Sequence, residues 1–295
     1  MRILITGGGG MLGRDLAPAL APKHDVRPYT HPALDVTQPA QVDRIFSEVR
    51  PDLVIHCAAF TDVDGCERDP ARAFAVNAGG AENVARAAER VGARLFLIST
   101  DYVFDGEKPT PYDERDAPNP IGVYGLSKFE GERRTLARNG QSSPHLVIRT
   151  SWLYGLHGPN FVEKILAAAQ SHPELEVVAD QIGYPTWTAH LARKIAELVE
   201  TPATGILHAG STGQCSRYEF ACAIVESLPQ PARVIPIDSA QASRPARRPP
   251  YSVLGCRRLR ELGLAPLPHW KEALEEYFQN RPALPVGRAE QRGTI

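Results

Sequence analysis

A cluster of glycines near the start of the chain limits its fold more than any other feature. The apolar run RILIT, residues 2–6, leads directly into GGGGMLG, in which glycine recurs at intervals of three. Glycine is needed at such a turn because a side chain would keep the backbone and the next helix N-terminus away from a pyrophosphate. The loop therefore predicts the first β-to-α turn of a dinucleotide-binding sheet. The residues expected to contact the dinucleotide here are Gly7, Gly10, Met11, Leu12 and Gly13.

Apolar runs alternate with amphipathic stretches over the first half of the chain. The runs are rich in Ile, Val and Leu, which is typical of parallel strands buried on both faces. They lie at 2–6, 53–59, 94–100 and 145–154, and candidate helices lie at 12–20, 39–49, 70–91 and 122–138. This order predicts an α/β fold, a Rossmann-type doubly wound parallel sheet with a smaller C-terminal substrate-binding region. We assign residues 1–154 to the dinucleotide-binding domain, which also receives 187–210, and residues 155–295 mainly to the substrate-binding region.

The composition excludes several classes of protein. A formal net charge of -1 over 295 residues gives no basic field for nucleic acid or an anionic membrane, so we expect neither as a partner. Five cysteines without CxxC spacing, and without an HExxH motif, indicate reduced thiols and no zinc site. The first residues show no signal peptide, and no apolar run approaches the length of a membrane span, so we expect a cytoplasmic protein.

The end of the second strand bears on which dinucleotide is bound. The segment DVRPYT, residues 25–30, ends without the acidic residue that would accept a ribose 2′-hydroxyl. Arg27 and His31 stand there instead, which favours NADPH, with NADH as a second usable cofactor. The alternative, that both are solvated loop residues, stays open. Asp35 and Val36 fall at about the usual distance from the glycines and are also expected to line the cofactor pocket.

A tyrosine and a lysine are four positions apart in YGLSK, residues 124–128. On a helix this spacing puts Tyr124 and Lys128 on one face. A phenol is a poor proton donor at neutral pH, and a neighbouring ammonium would lower its pKa by stabilising the phenolate. Thr100 ends a predicted strand, so its hydroxyl is expected at the carboxyl edge of the sheet, where open α/β sheets bind ligands. So short a motif also arises by chance as a surface pair.

The order of glycine loop, strand-end threonine and YxxxK resembles the short-chain dehydrogenase/reductase superfamily in its extended, sugar-nucleotide-modifying form. The resemblance spans nearly the whole chain. It implies that Thr100, Tyr124 and Lys128 form the catalytic triad, with Tyr124 and Lys128 also contacting the cofactor. It also implies that CAAFT, residues 57–61, lines the cofactor groove. The groove residues expected from this segment are Ala58, Ala59 and Thr61.

Finer segments narrow the resemblance. STDYVFDG, PNPIGVYGLSK, RTSWLYG, NFV, DQIGYPT and ARRPPYSVL occur in that order between residues 99 and 254. Together they resemble the dTDP-4-dehydrorhamnose reductase family, which implies reduction of the C4 ketone of a dTDP-4-keto-6-deoxy sugar with NADPH. By the same resemblance Tyr102 and Trp152 would flank the sugar, while Asn160 and arginines of the late loop would approach the diphosphate. The alternative for Trp152 is a core aromatic.

Departures from related families sharpen this hypothesis. Sugar-nucleotide dehydratases are expected to carry a carboxylate pair after the strand-end threonine, whereas this chain has Asp101 followed by Tyr102. Some relatives are described with an interfacial Mg²⁺ held by glutamates, but the first helix here carries Arg14 and Asp15, and we predict no metal. The rivals are another nucleotide-sugar reductase or epimerase, and a non-catalytic subunit similar to the methionine adenosyltransferase β subunit. A homodimer is compatible with the sequence, which leaves the oligomeric state open.

Overall fold

A computed structural model of the chain describes residues 1–137, 143–229 and 231–282. The strands are β1 Arg2–Thr6, β2 Asp25–Tyr29, β3 Leu53–His56, β4 Arg94–Thr100, β5 Leu146–Thr150, β6 Leu153–Tyr154, β7 Glu174–Val178, β8 Ile182–Gly183, β9 Thr186–Trp187, β10 Gly205–His208, β11 Cys215–Ser216 and β12 Arg233–Ile237. The α-helices are α1 Met11–Leu20, α2 Pro39–Val49, α3 Val63–Arg68, α4 Pro70–Phe74, α5 Gly80–Arg90, α6 Val123–Leu136, α7 Phe161–Ser171, α8 Thr188–Val199, α9 Arg217–Val225, α10 Arg257–Glu261 and α11 Trp270–Asn280.

The central element is a parallel sheet of six strands in the order β10-β5-β4-β3-β1-β2. The chain leaves β1 for β2 on one side and returns to β3 on the other, so the strand order reverses between β1 and β3. Open α/β sheets bind ligands beyond the carboxyl ends of their strands at such a reversal. Strands β3 and β5 are buried along their whole length, which agrees with their apolar sequences. The predicted Rossmann-type α/β fold is confirmed.

Most predicted elements of the first half are observed within a few residues. The strand predicted over 145–154 ends at Thr150, and Trp152 that follows has a positive φ of 44°, which no strand residue adopts. The helix predicted over 70–91 is interrupted by a π-helical turn, Ala75–Gly79, between α4 and α5. The helix predicted over 122–138 is observed over Val123–Leu136; residue 138 lies outside the described residues.

The C-terminal half builds a second core and also returns to the main sheet. The second core joins α7, α9 and α11 through buried aromatic side chains, including Tyr154, Phe220 and Tyr277. Strand β10 pairs with β5 at the edge of the six-stranded sheet, and α8 packs against α1. Residues 187–210 therefore contribute a strand and a helix to the first unit. The division at residue 154 stays a prediction, and residues 283–295 lie outside the described residues.

Within the described ranges, no helix is both long enough and apolar enough to cross a membrane.

Candidate active site

A cavity of about 400 Å³ opens at the carboxyl edge of the sheet, where the strand order reverses. Its walls come from the segments after β1, β3, β4 and β5, from α6, and from the start of α9. The cavity brings together residues that the sequence predicts for three different roles. They are Gly7, Gly10, Met11, Leu12, Gly13, Ala59, Thr61, Thr100, Tyr102, Tyr124, Lys128, Trp152 and Asn160.

The glycine loop is packed too tightly for side chains. Gly7 has a φ of 65°, and a Cβ atom on it would lie 2.6 Å from the backbone nitrogen of Ala58. Ala58 thus supports the loop from behind and is absent from the cavity wall. Helix α1 begins at Met11 with no acidic residue in its first turn. This bare backbone at a helix N-terminus fits the pyrophosphate of a dinucleotide.

Two arginines lie near the end of β2 and the glycine loop. The guanidinium of Arg27 binds the carboxylate of Asp25, with Nε 2.8 Å from Oδ1, and a contact of Arg27 with the cofactor stays a prediction. Arg14, which the sequence reading did not assign to the cofactor, lies beside the loop and donates from Nε to the carbonyl oxygen of Gly9 at 3.1 Å. His31 is exposed after the strand. The sequence feature that could have pointed to Arg14 is its position directly after Gly13, the last glycine of the loop.

Asp35 and Val36 do not line the cavity with the other predicted cofactor residues. The carboxylate of Asp35 accepts hydrogen bonds from the backbone nitrogen and hydroxyl of Thr37, at 2.9 and 2.7 Å. Val36 is buried, and its carbonyl accepts from the side chain of Asn83. Both residues therefore have local structural roles, and their contact with a cofactor stays a prediction.

Helix α6 carries Tyr124 and Lys128 into the cavity. The helix approaches the end of β4 closely at Gly125, where a Cβ atom would lie 2.1 Å from the carbonyl oxygen of Tyr102. The glycine of YGLSK is thus the residue that allows this approach. Two residues further along, Ser127 accepts a hydrogen bond from Asn77 of the π-helical turn at 3.0 Å. Lys128 is 4% exposed and donates from Nζ to the carbonyl oxygen of Ile98 at 2.7 Å.

The charges at the site differ from the sequence-based expectation. Burial raises the pKa of Tyr124, while a hydrogen bond with Thr100 acts in the opposite direction. Burial also lowers the pKa of Lys128 to about 8, although the nearby Glu132 carboxylate raises it. The expectation that the ammonium lowers the pKa of the phenol is therefore not met in this structure. The physical reason is that burial is the largest influence on the pKa of both groups.

A buried carboxylate connects the strand-end threonine to two distant serines. Asp101 accepts hydrogen bonds from the hydroxyls of Thr100 at 3.0 Å, Ser151 at 3.0 Å and Ser252 at 2.6 Å. Burial raises the pKa of Asp101, and these hydrogen bonds oppose the rise. The network joins β4, the segment after β5 and the late loop around residue 252. Sequence reasoning missed both serines, because they lie 50 and 151 positions from Asp101.

The two aromatic residues predicted to flank the sugar, Tyr102 and Trp152, line the same cavity as Tyr124. The rings of Tyr102 and Tyr124 meet edge to face, with centroids 5.6 Å apart. The ring of Trp152 packs against Gly183, where a Cβ atom would be only 2.6 Å away. Asn160 lines the same cavity, but its side chain caps α7 by accepting from the backbone nitrogen of Glu163 and donating to the carbonyl of Gly155. Any substrate contact of these residues stays a prediction.

A second cavity of about 810 Å³ adjoins the first and shares part of its wall, including Thr61, Tyr102 and Arg217. Five cationic side chains line it against three carboxylates. The cations are Arg68, Lys164, Arg217, Arg244 and Arg248, and the carboxylates are Asp62, Asp64 and Glu176. An excess of cations in a cleft favours an anionic ligand. Among the described residues, no group of three or more His, Cys, Asp or Glu side chains could hold a metal ion.

The fold and this site define an NAD(P)H-dependent oxidoreductase of the extended short-chain dehydrogenase/reductase superfamily. The family described as the RmlD substrate binding domain matches residues 1–282. A dTDP-4-dehydrorhamnose reductase from Mycobacterium tuberculosis is 44% identical over 281 residues, covering 92% of this chain and 91% of that protein. The chain therefore belongs to the dTDP-4-dehydrorhamnose reductase family.

Two further similarities concern the cofactor and the substrate. The crystal structure of a dTDP-4-dehydrorhamnose reductase from Bacillus anthracis in complex with NADP has a TM-score of 0.90 and 41% identity, covering 95% of this chain and 99% of that one. A protein from Streptomyces niveus named dTDP-4-keto-6-deoxy-D-glucose reductase is 39% identical, covering 94% of this chain and 96% of its own length. Relatives at similar identity thus carry names with different sugar substrates.

Proposed function

We propose that the protein reduces the C4 ketone of dTDP-4-dehydro-L-rhamnose to dTDP-L-rhamnose with NADPH, in dTDP-rhamnose biosynthesis. The observation that carries the proposal is that Thr100, Tyr124 and Lys128 meet the glycine loop in one cavity. The adjoining cavity, with its excess of cations, has the charge that a nucleoside diphosphate requires. The names of the relatives described above supply the identity of the sugar.

The roles of the side chains follow from their positions. NADPH, when bound, supplies the hydride. Tyr124 donates the proton to the ketone oxygen, since its hydroxyl lies in the cavity wall next to Thr100. The hydroxyl of Thr100 is 3.0 Å from Asp101, so its donation to the ketone would replace that hydrogen bond. Lys128, in the wall of the same cavity, would hold the ribose of the cofactor.

The first test of the proposal removes the proton donor. Tyr124→Phe keeps the ring and its contact with Tyr102, so folding and NADPH binding should survive. Single-turnover oxidation of NADPH with dTDP-4-dehydro-L-rhamnose should slow by roughly 10² to 10⁴, which is the usual span for a general acid. Thr100→Val is the matched variant, and its smaller loss would reflect a missing hydrogen bond only. Reduction by Tyr124→Phe at the unmodified rate would place the proton donor elsewhere.

A second candidate function is reduction of a stereoisomeric dTDP-4-keto-6-deoxy sugar. The similarity to the Streptomyces niveus protein favours it over more distant alternatives. Incubation with a panel of dTDP-keto-sugars and NADPH, with product stereochemistry read by NMR, separates the two candidates. Absence of turnover with every member, despite NADPH binding, would instead favour a non-catalytic subunit.

The proposed setting of the reaction is the cytoplasm, because the five cysteines are all free thiols. A homodimer is compatible with this activity, and light scattering would measure the oligomeric state.

A further inference from the structure

Arg217 occupies an unusual position at the boundary of the two cavities. It is the first residue of α9, and it forms part of the wall of both cavities. Its guanidinium carbon lies 3.5 Å from the centroid of the Trp152 ring and 5.2 Å from that of Phe161. The flat face of the guanidinium is therefore stacked on an aromatic ring, which leaves its edge available for hydrogen bonds.

The positive charge of Arg217 has no carboxylate of its own. Over the described part of the chain it forms no ion pair, whereas the neighbouring Arg68 and Arg248 are paired with Asp62 and Asp64. It hydrogen-bonds to the hydroxyl of Tyr102. The carboxylate of Asp101 also acts on it, but the oxygens of that carboxylate already accept three hydroxyl hydrogen bonds.

An arginine kept charged and partly buried without an anionic partner indicates a ligand that supplies one. A guanidinium cannot lose its proton in a protein, and an unpaired charge away from water is costly. Burial lowers the pKa of Arg217, which expresses the same penalty. A phosphate matches the fork of N–H donors along the free edge of the guanidinium.

The position of Arg217 selects one phosphate of the proposed substrate. In the proposed function the sugar would lie in the first cavity, which Tyr124, Tyr102 and Trp152 line, and the nucleoside would lie in the second cavity. We propose that Arg217 binds the sugar-proximal phosphate of the nucleoside diphosphate and so positions the sugar for reduction. This inference rests on the proposed function, because it assumes that a nucleotide sugar spans both cavities.

The proposal makes Arg217 responsible for distinguishing a diphosphate from a monophosphate. Thymidine diphosphate has the second phosphate, and thymidine monophosphate lacks it. In Arg217→Met, the dissociation constant for dTDP should rise about 10- to 100-fold, the span expected for lost hydrogen bonds to a charged group. The constant for dTMP should change much less, and that for NADPH should not change. Isothermal titration calorimetry measures all three.

Two further variants separate this role from a structural one. Arg217→Lys keeps the charge but loses the stacked fork, so its dTDP affinity should fall between those of the unmodified protein and Arg217→Met. Arg44→Met, which removes an exposed arginine paired with Glu48, should leave every constant unchanged. In turnover assays with the nucleotide sugar, Arg217→Met should raise KM more than it lowers kcat.

The outcomes distinguish this inference from the proposed function. Equal weakening of dTDP and dTMP in both Arg217 variants, or no weakening, would overturn the role of Arg217 while leaving the reductase activity standing. Failure of the unmodified protein to bind dTDP would overturn both. Binding of dTDP that depends on Arg217, without turnover of any keto-sugar, would refute the reductase activity alone.

Discussion

Lys128 is a charged side chain in an environment that opposes its charge. Burial lowers its pKa from the ordinary 10.5 to about 8, and its ammonium has one backbone carbonyl as a hydrogen-bond acceptor. Below pH 8, Lys128 carries its proton in both the native and the unfolded chain, so the full cost of burying the charge lowers the stability of the native state. Between pH 8 and 10.5 only the unfolded chain binds it, so native stability rises with pH.

We therefore expect Lys128→Met to be more stable and less active. The free energy of unfolding at pH 7 should rise by roughly 1–3 kcal/mol, because the variant removes a buried charge whose pKa is shifted. The gain should disappear as the pH rises from 8 towards 10.5. Urea unfolding across this pH range measures it, with the exposed Lys23→Met as the control. A gain that does not depend on pH would mean that packing, and not charge, is responsible.

Arg14 is the residue expected to recognise the 2′-phosphate of NADPH. It is held beside the glycine loop by its hydrogen bond to Gly9, at the side of the loop that faces the end of β2. Arg14→Met should reduce the preference for NADPH over NADH by about tenfold, the effect of one charge-assisted hydrogen bond. Arg27→Met should leave the preference unchanged, since Arg27 is bound to Asp25. Fluorescence titration of each variant with both cofactors checks this. A loss of preference in Arg27→Met but not in Arg14→Met would show that Arg27 recognises the 2′-phosphate.

At the residue scale, the sequence predicted those site residues that belong to short local motifs. These are the glycine loop, the strand-end Thr100, and Tyr124 with Lys128, and the fold brings them to one cavity. Arg217 and the serine partners of Asp101 have no such motif. Their positions depend on how distant loops pack, which the spacing of residues along the chain does not specify.

At the scale of elements, helix α6 connects Tyr124 and Lys128 to the sheet. Its hydrophobic pattern is weak, because the buried side of the helix carries Ser127, Lys128 and Glu132 as well as glycines. Glu132 forms a buried ion pair with Arg149 of β5, at 2.7 Å. The sequence predicted a helix over 122–138, close to the observed Val123–Leu136, but the polar contacts that hold it depend on the neighbouring strands.

The close approach of α6 to the β4 end can be tested at Gly125. Gly125→Ala places a Cβ atom 2.1 Å from the carbonyl oxygen of Tyr102, so the helix or the loop has to move. Stability should fall by about 1–3 kcal/mol, as for other overpacked sites, and turnover should fall with it because Tyr124 moves.

The control for this variant is Gly79→Ala in the π-helical turn. Its nearest neighbour would be 3.8 Å away and its φ is -64°, so alanine fits without strain. This variant should be neutral or more stable by roughly 0.5–1 kcal/mol, since glycine is unfavourable in helices. Urea unfolding and kcat are measured for both proteins. Normal turnover in Gly125→Ala would show that the approach of α6 is unrelated to the chemistry.

At the scale of the whole molecule, the chain does not separate into independent halves. Strand β10 and helix α8 belong to the second half of the sequence but pack on the first unit. The Asp101 network adds a buried polar link between the end of β4 and the late loop. The alternation of strands and helices in the sequence predicted the first unit well. After residue 154 the sequence alternates less regularly, and it gave less information about which unit each later element joins.

This connection predicts that a ligand of one unit stabilises both. All three tryptophans, Trp152, Trp187 and Trp270, lie in or against the second core, whereas the glycine loop belongs to the first unit. At a concentration of 100 Kd, NADP⁺ should add about 2.7 kcal/mol to the free energy of unfolding. Because α8 and β10 join the two cores, the melting midpoint from tryptophan fluorescence should rise as much as that from far-UV circular dichroism. A fluorescence midpoint that NADP⁺ leaves in place, with two steps in the dichroism, would show that the units unfold separately.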